Sequence, residues 1–76
     1  MVMIPVESSN LDSIGYSEKD SALFVRFRDG ARVYRYSKVP LAIWQAFLLS
    51  PSKGKFFSSQ IRDFFSYEQV DEADAA

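Results

Sequence analysis

The chain has 76 residues, enough for one small domain with a marginal core, and its 47% hydrophobic and 16% aromatic content excludes a disordered chain. It contains no cysteine and no histidine, which excludes disulfides and thiolate chemistry, argues against a zinc site and removes the commonest general base. The net charge of −1 combines +3 over residues 1–66, from nine basic and six acidic side chains, with −4 over residues 67–76. We therefore predict a single domain over residues 1–66 and an acidic, disordered tail over residues 67–76.

The amino-terminal segment is typical of an edge strand. The β-branched residues Val2, Ile4 and Val6 alternate with residues 3, 5 and 7, and Pro5 suits a position where one side of the strand is unpaired. Turn-forming residues follow over 8–13, and residues 14–16 predict a short second strand. The apolar run is too short for a signal peptide, and no stretch has the length of a membrane span. We expect a cytoplasmic protein with no membrane partner.

Residues 23–40 predict a β-hairpin that turns at Asp29 and Gly30, because a two-residue turn of this kind needs positive φ angles. The turn sets the register, so that residue 23 faces residue 36 and residue 25 faces residue 34. One face then carries the apolar set Leu23, Val25, Phe27, Tyr34 and Tyr36. The other face carries Phe24, Arg26, Arg28, Val33 and Arg35.

Two helices are predicted after the hairpin. Pro40 is suited to open an almost wholly apolar helix over residues 41–49, and Pro51 ends it. Residues 52–55 are expected to form a loop, and Ser58 is a suitable N-cap for a second helix. The apolar stripe of that second helix is Phe57, Ile61, Phe64 and Phe65. The fold class is therefore α+β: a small antiparallel β-sheet of three to four strands, followed by two helices packed on one face.

An ordered set of short motifs resembles the KTSC domain, a small bacterial domain named for its place at the carboxyl end of some lysyl-tRNA synthetases. The set comprises Ser8-Ser9, Ile14-Gly15-Tyr16, Leu23-x-Val25-x-Phe27, Gly30, Tyr34-x-Tyr36, Val39-Pro40, Ser52-x-Gly54, Phe56-Phe57 and Ile61-Arg62. No single motif is specific, but their order and spacing are. Members often have Asn where Ser58 stands and Tyr near Phe65. The association with a synthetase implies RNA binding by analogy only.

The basic face of the hairpin is the first candidate site. Arginine side chains beside an aromatic ring suit single-stranded nucleic acid, since arginines pair with phosphates and bases stack on planar groups. The candidate nucleic-acid-binding residues are Phe24, Arg26, Arg28, Arg32, Arg35, Lys38, Lys53 and Lys55. The face is alternatively a solvated surface, and residues 52–55 an ordinary loop. Tyr34 and Tyr36 are assigned to the core in preference to base stacking.

A protein-interaction or homodimerisation module is the alternative function. The helix around Trp44 and Phe47 is so apolar that one of these side chains is expected to remain exposed for a partner. Catalysis is not expected, because no serine has a histidine partner and no paired carboxylates are placed for acid–base work. No cofactor and no metal are expected. The sequence thus favours an RNA-binding module but leaves DNA, a protein partner and a second copy open.

Overall fold

A single five-stranded antiparallel sheet with the order β1-β2-β3-β4-β5 organises the part of the chain that the structure describes. The structure is a computed structural model and describes residues 2–30 and 32–70. The strands are β1 (Ile4–Pro5), β2 (Leu11–Ser17), β3 (Ala22–Phe27), β4 (Val33–Tyr36) and β5 (Tyr67–Val70). The helices are α1 (Leu41–Leu49) and α2 (Lys53–Phe56), and α2 runs directly into a π-helical segment (Phe57–Ile61). The α+β class is confirmed, and the described sheet has five strands where three to four were expected.

The central hairpin has the predicted register. Leu23 pairs with Tyr36 and Val25 with Tyr34, so the apolar set lies on one face of the sheet. Gly30 has a φ of 76°, in the left-handed region that glycine adopts without a steric penalty. The register is therefore confirmed, but the expected turn is not, because φ is positive at Gly30 and not at Asp29.

Strand β2 is longer than predicted and contains an irregularity that the sequence pattern concealed. Its register against β3 shifts between Leu11 and Ser13. Because the shift inserts one residue, Leu11 and Ile14 both point into the core although they are three positions apart. Edge strand β1 contains Pro5, as predicted.

The core lies between the sheet and the helical layer. Its buried members come from five strand positions, the Val39 linker, α1 and the π-helical segment. They are Leu11, Ile14, Leu23, Val25, Tyr36, Val39, Phe47, Phe57 and Ile61. No helix among the described residues is long and apolar enough to cross a bilayer.

The second helix begins earlier than predicted. Ser52, not Ser58, is its N-cap, and its hydroxyl accepts a hydrogen bond from the Lys55 amide. The expected loop over residues 52–55 is therefore the start of a helix. The Arg62 amide donates to the Phe57 carbonyl five residues back, which widens the turn and shifts the phase of the apolar stripe. Phe64 lies beyond the end of this segment at Ile61, outside the core, and is 69% exposed.

The first four residues of the predicted tail, residues 67–70, instead form strand β5. This strand pairs with β4, with Val33 opposite Val70 and Tyr36 opposite Tyr67. The acidic composition favoured a solvated segment, but the free edge of β4 offers backbone groups that a following segment can satisfy. The rest of the predicted tail, residues 71–76, lies outside the described residues.

Candidate nucleic-acid interface

Two of the predicted arginines lie on the sheet face opposite the helices, and both contact neighbouring side chains there. Arg35 Nη1 donates to Ser37 Oγ at 3.2 Å and lies 3.9 Å from Glu68 Oε1. Arg26 Nη1 donates to Ser13 Oγ at 3.5 Å. Both side chains are half-buried. Both arginines of this face therefore already contact polar side chains of this protein.

Phe24, the predicted stacking ring of that face, is not available to a ligand. It is 6% exposed and forms a small cluster with Ala22 and Val33. Met3 and Val70 pack against this cluster from the two sides. Phe24 is therefore wrong as a base-stacking residue. The prediction failed because it did not include β5, which brings Val70 to this face.

Arg28 and Arg32 are brought together at the closed end of the hairpin, away from Arg26 and Arg35. They line a cleft of about 530 Å³ on the side of the sheet that carries the helices. We name this the hairpin-end cleft; its lining is Ser9, Asn10, Phe27, Arg28, Asp29, Arg32 and Tyr34. The two arginines are exposed, whereas the two rings are half-buried. The cleft thus combines positive charge with aromatic surface, as the sequence led us to expect of the sheet face.

Arg28 is also part of the wall that shapes the cleft. Its Nε donates to the Ser8 carbonyl oxygen at 2.7 Å, and its backbone amide donates to the Asn10 carbonyl oxygen at 3.0 Å. Ser8 Oγ in turn lies 2.9 Å from Asn10 Oδ1 and accepts from the Leu11 amide at 3.2 Å. These bonds hold the Ser8–Asn10 turn against the hairpin.

The rings of the cleft belong to a closed cycle of five aromatic side chains. Neighbouring ring centroids are 5.3 to 5.6 Å apart around this cycle. Its members, in order, are Phe27, Tyr34, Tyr67, Tyr36 and Phe57. Tyr36 is buried, and desolvation raises the pKa of its hydroxyl to about 12. Tyr34 packs against the core yet borders the cleft, so the assignment of both tyrosines to the core holds fully only for Tyr36.

A second cleft lies on the other side of the Ser8–Asn10 turn. It has a volume of about 580 Å³, and we name it the serine cleft. Its lining is Glu7, Ser8, Ser9, Asn10, Ser52, Gly54, Lys55 and Ser58. Gly54 allows the two walls to approach, because a Cβ at this position would lie 3.0 Å from Asn10 Oδ1. The sequence suggested Lys55 as a contact but did not reveal Ser9, Asn10 or Ser58, which it explained as turn and cap residues.

The other two predicted lysines lie apart from both clefts. Lys38 follows β4 at the opposite end of the hairpin, where the Val39 amide donates to the Ser21 carbonyl oxygen. Lys53 Nζ donates to the Ser50 carbonyl oxygen at 2.5 Å. It lines a separate depression beside Ile4. The structure therefore does not unite all eight predicted residues in one surface.

The predicted interaction residues of α1 are also separated. Phe47 is wrong as an exposed residue, because it is fully buried and stacks on Phe56 at 5.2 Å. Trp44 is half-buried and stacks on Tyr16 at 5.5 Å. The exposed large apolar side chains of α1 are instead Leu41, Leu48 and Leu49, at 39%, 39% and 85%. An apolar helix gave no periodic signal to tell its outer side from its inner side.

Comparison with known proteins gives a consistent result. The family model described as KTSC domain matches residues 7–71. A protein of Stutzerimonas stutzeri is 35% identical over 93% of this chain and 100% of its own length. The crystal structure of a KTSC domain protein from Yersinia pestis superposes with a TM-score of 0.87 and 34% identity, covering 92% of this chain and 97% of that one.

A larger relative contains a similar segment as one part of its chain. The lysine–tRNA ligase of Nostoc punctiforme is 32% identical over 90% of this chain, and the match spans 12% of the ligase. That ligase is therefore mostly composed of sequence with no counterpart here. The match to the family model over nearly the whole described region, with two full-length relatives above 30% identity, shows that this chain belongs to the KTSC domain family.

Proposed function

We propose that this chain is a non-catalytic cytoplasmic module that binds single-stranded nucleic acid, preferentially RNA, through the hairpin-end cleft. The observation that carries the proposal is the position of two exposed arginines, Arg28 and Arg32, beside two half-buried rings, Phe27 and Tyr34. Guanidinium groups pair with phosphates, and an unstacked base gains about 1 to 3 kcal/mol from an aromatic face. The cleft supplies both groups within one depression.

The rings are well suited to this role because they are held in place before a ligand arrives. Phe27 packs edge-on against Tyr34 at 5.4 Å and against Phe57 at 5.5 Å, and Tyr34 stacks on Tyr67 at 5.6 Å. Rings that are already ordered lose little conformational entropy on binding. The opposite sheet face is a weaker candidate, because Phe24 is buried and Arg35 already contacts Glu68.

The lysine–tRNA ligase relatives support RNA as the class of ligand. As their name states, these relatives are ligases that act on a tRNA, and a segment similar to this chain accounts for 12% of the Nostoc punctiforme ligase. A domain of such an enzyme is part of a protein that binds RNA as its substrate. We transfer only this class of ligand, and not the ligase reaction, to the present chain.

The test is binding of a short fluorescent single-stranded RNA pool by anisotropy at about 50 and about 200 mM salt. The Arg28→Ser/Arg32→Ser variant is expected to bind about tenfold more weakly. Its salt slope should fall by about 1.4, since each phosphate contact on a single strand contributes about 0.7. Arg32→Ser alone is the second variant, because the Arg32 side chain makes no hydrogen bond with the described residues and its loss should leave the turn intact.

A Lys19→Ser/Arg62→Ser variant is the matched control. Both side chains are exposed, neither lines the two clefts, and the net charge changes by the same amount. The control should keep most of the affinity. Equal losses of affinity in both double variants would show that overall charge, and not the hairpin-end cleft, causes the effect. Absence of binding between the wild-type protein and the pool at low salt would contradict the proposal.

A protein-interaction module, including a homodimer, is the second candidate function. The observation that favours it is the outer side of α1, where Leu49 is 85% exposed and Leu41 and Leu48 are each 39% exposed. Ile4 is 41% exposed and lines a depression together with Leu48. An apolar surface of this kind is a common site of association.

A further inference from the structure

We infer that a bound RNA strand crosses the Ser8–Asn10 turn, with one nucleotide in the hairpin-end cleft and the phosphate of the next nucleotide on Lys55 in the serine cleft. This inference rests on the proposed function and extends it from one cleft to a path. Ser9 and Asn10 line both clefts, so the two depressions meet at this turn. A ligand longer than one nucleotide that enters the first cleft reaches the second across a single pair of side chains.

The turn between the clefts is braced from both sides. On the hairpin side, Arg28 Nε donates a hydrogen bond of 2.7 Å to the Ser8 carbonyl oxygen. From the helical side, Gly54 approaches so closely that a Cβ there would lie 3.3 Å from Ser8 Oγ and 3.0 Å from Asn10 Oδ1. A braced turn keeps the two clefts at a constant separation, which is the requirement for contacting two consecutive groups of one strand.

The serine cleft has the chemistry of a phosphate and sugar contact, and it contains no aromatic side chain among its lining residues. Lys55 is exposed, and its ammonium group makes no ion pair with the described residues. Ser58 places a further hydroxyl donor in the same cleft. Phosphate contacts in protein–nucleic acid complexes come from such lysine and hydroxyl groups.

Glu7 lines the same cleft, and its negative charge leads to a prediction about RNA affinity that is opposite to the one for Lys55. Its carboxylate repels a phosphate, so the phosphate is placed at Lys55 and the charge of Glu7 opposes binding. Removal of the Lys55 charge should therefore weaken RNA binding, and removal of the Glu7 charge should strengthen it. A surface that merely attracts RNA by overall charge would respond in the same way to any exposed residue.

The experiment compares Lys55→Ser and Glu7→Gln with the distant control Lys19→Ser. The probes are a short single-stranded RNA and uridine monophosphate. For the RNA, Lys55→Ser should weaken binding several-fold and lower the salt slope by about 0.7, and Glu7→Gln should strengthen binding about two- to threefold. For the mononucleotide, which fills the hairpin-end cleft alone, neither change should alter affinity by more than Lys19→Ser does.

The outcomes separate this inference from the proposed function. If Lys55→Ser matches Lys19→Ser on RNA while Arg32→Ser still loses affinity, the path is wrong and the hairpin-end cleft remains the site. If Lys55→Ser weakens the mononucleotide as much as the strand, the second contact is not specific to a longer ligand and the path is also overturned. If the wild-type protein does not bind RNA, both proposals fail together.

Discussion

At the residue scale, the buried hydroxyl of Tyr36 makes the free energy of unfolding depend on pH. The side chain is 2% exposed, and burial, with smaller contributions from Tyr67 and Tyr34, raises the pKa of its hydroxyl to about 12. An unfolded chain releases this proton near pH 10, so between pH 10 and 12 the unfolded state binds fewer protons than the folded state. The free energy of unfolding should therefore be unaffected by Tyr36 below pH 10 and should fall by about 2 to 3 kcal/mol as the pH rises to 12.

Urea denaturation of the wild type and of Tyr36→Phe at pH 9 and pH 11.5 measures this effect. The quantity of interest is the difference between the two proteins, because it removes the pH response that they share. Tyr36→Phe should lose less stability than the wild type on going to the higher pH. Parallel losses would show that the Tyr36 hydroxyl is not protected by the fold.

At the element scale, β5 is the part of the fold whose contribution can be measured most directly. Tyr67 contacts both Tyr34 and Tyr36 at centroid separations of 5.6 and 5.3 Å, and each aromatic pair is worth about 0.5 to 1.5 kcal/mol. We expect Tyr67→Ala to lower the free energy of unfolding by about 1 to 3 kcal/mol. Phe64→Ala is the matched control, because Phe64 is 69% exposed, and its effect should stay within about 0.5 kcal/mol. Chemical denaturation of both variants compares them, and equal effects would contradict a structural role for β5.

The elements also show which parts of the fold local chemistry can predict. The hairpin was predicted with its register because Asp29-Gly30 restricts the turn and the two-residue period restricts the faces. The start of the second helix was predicted at the wrong serine. Ser52 and Ser58 are equally suitable N-caps as residue types, and the choice of Ser52 depends on tertiary packing. Strand β5 was missed for a related reason, because its pairing with β4 depends on a neighbour distant in sequence.

At the scale of the whole molecule, the candidate site differs from its prediction by position more than by chemistry. Arginine beside an aromatic ring was the expected combination, and it occurs at the hairpin-end cleft with Arg28, Arg32, Phe27 and Tyr34. The sequence could not predict this location, because the cleft exists only where the Ser8–Asn10 turn folds against the hairpin. Contacts between loops far apart in sequence have no periodic signal. The resemblance to the KTSC domain contained the Ser8-Ser9 and Ser52-x-Gly54 motifs, yet only the fold shows that they meet.

The exposed side of α1 leads to a prediction about assembly of the whole molecule. If this surface is an interface between two copies, light scattering should give a mass approaching twice 8.7 kDa as the protein concentration rises. Leu49→Glu should return the mass to that of one chain, because Leu49 is 85% exposed as a monomer and a buried carboxylate in its place is costly. Gln60→Glu introduces the same charge at an exposed polar position outside α1 and should leave the mass unchanged. A constant mass of 8.7 kDa at all concentrations would exclude the homodimer.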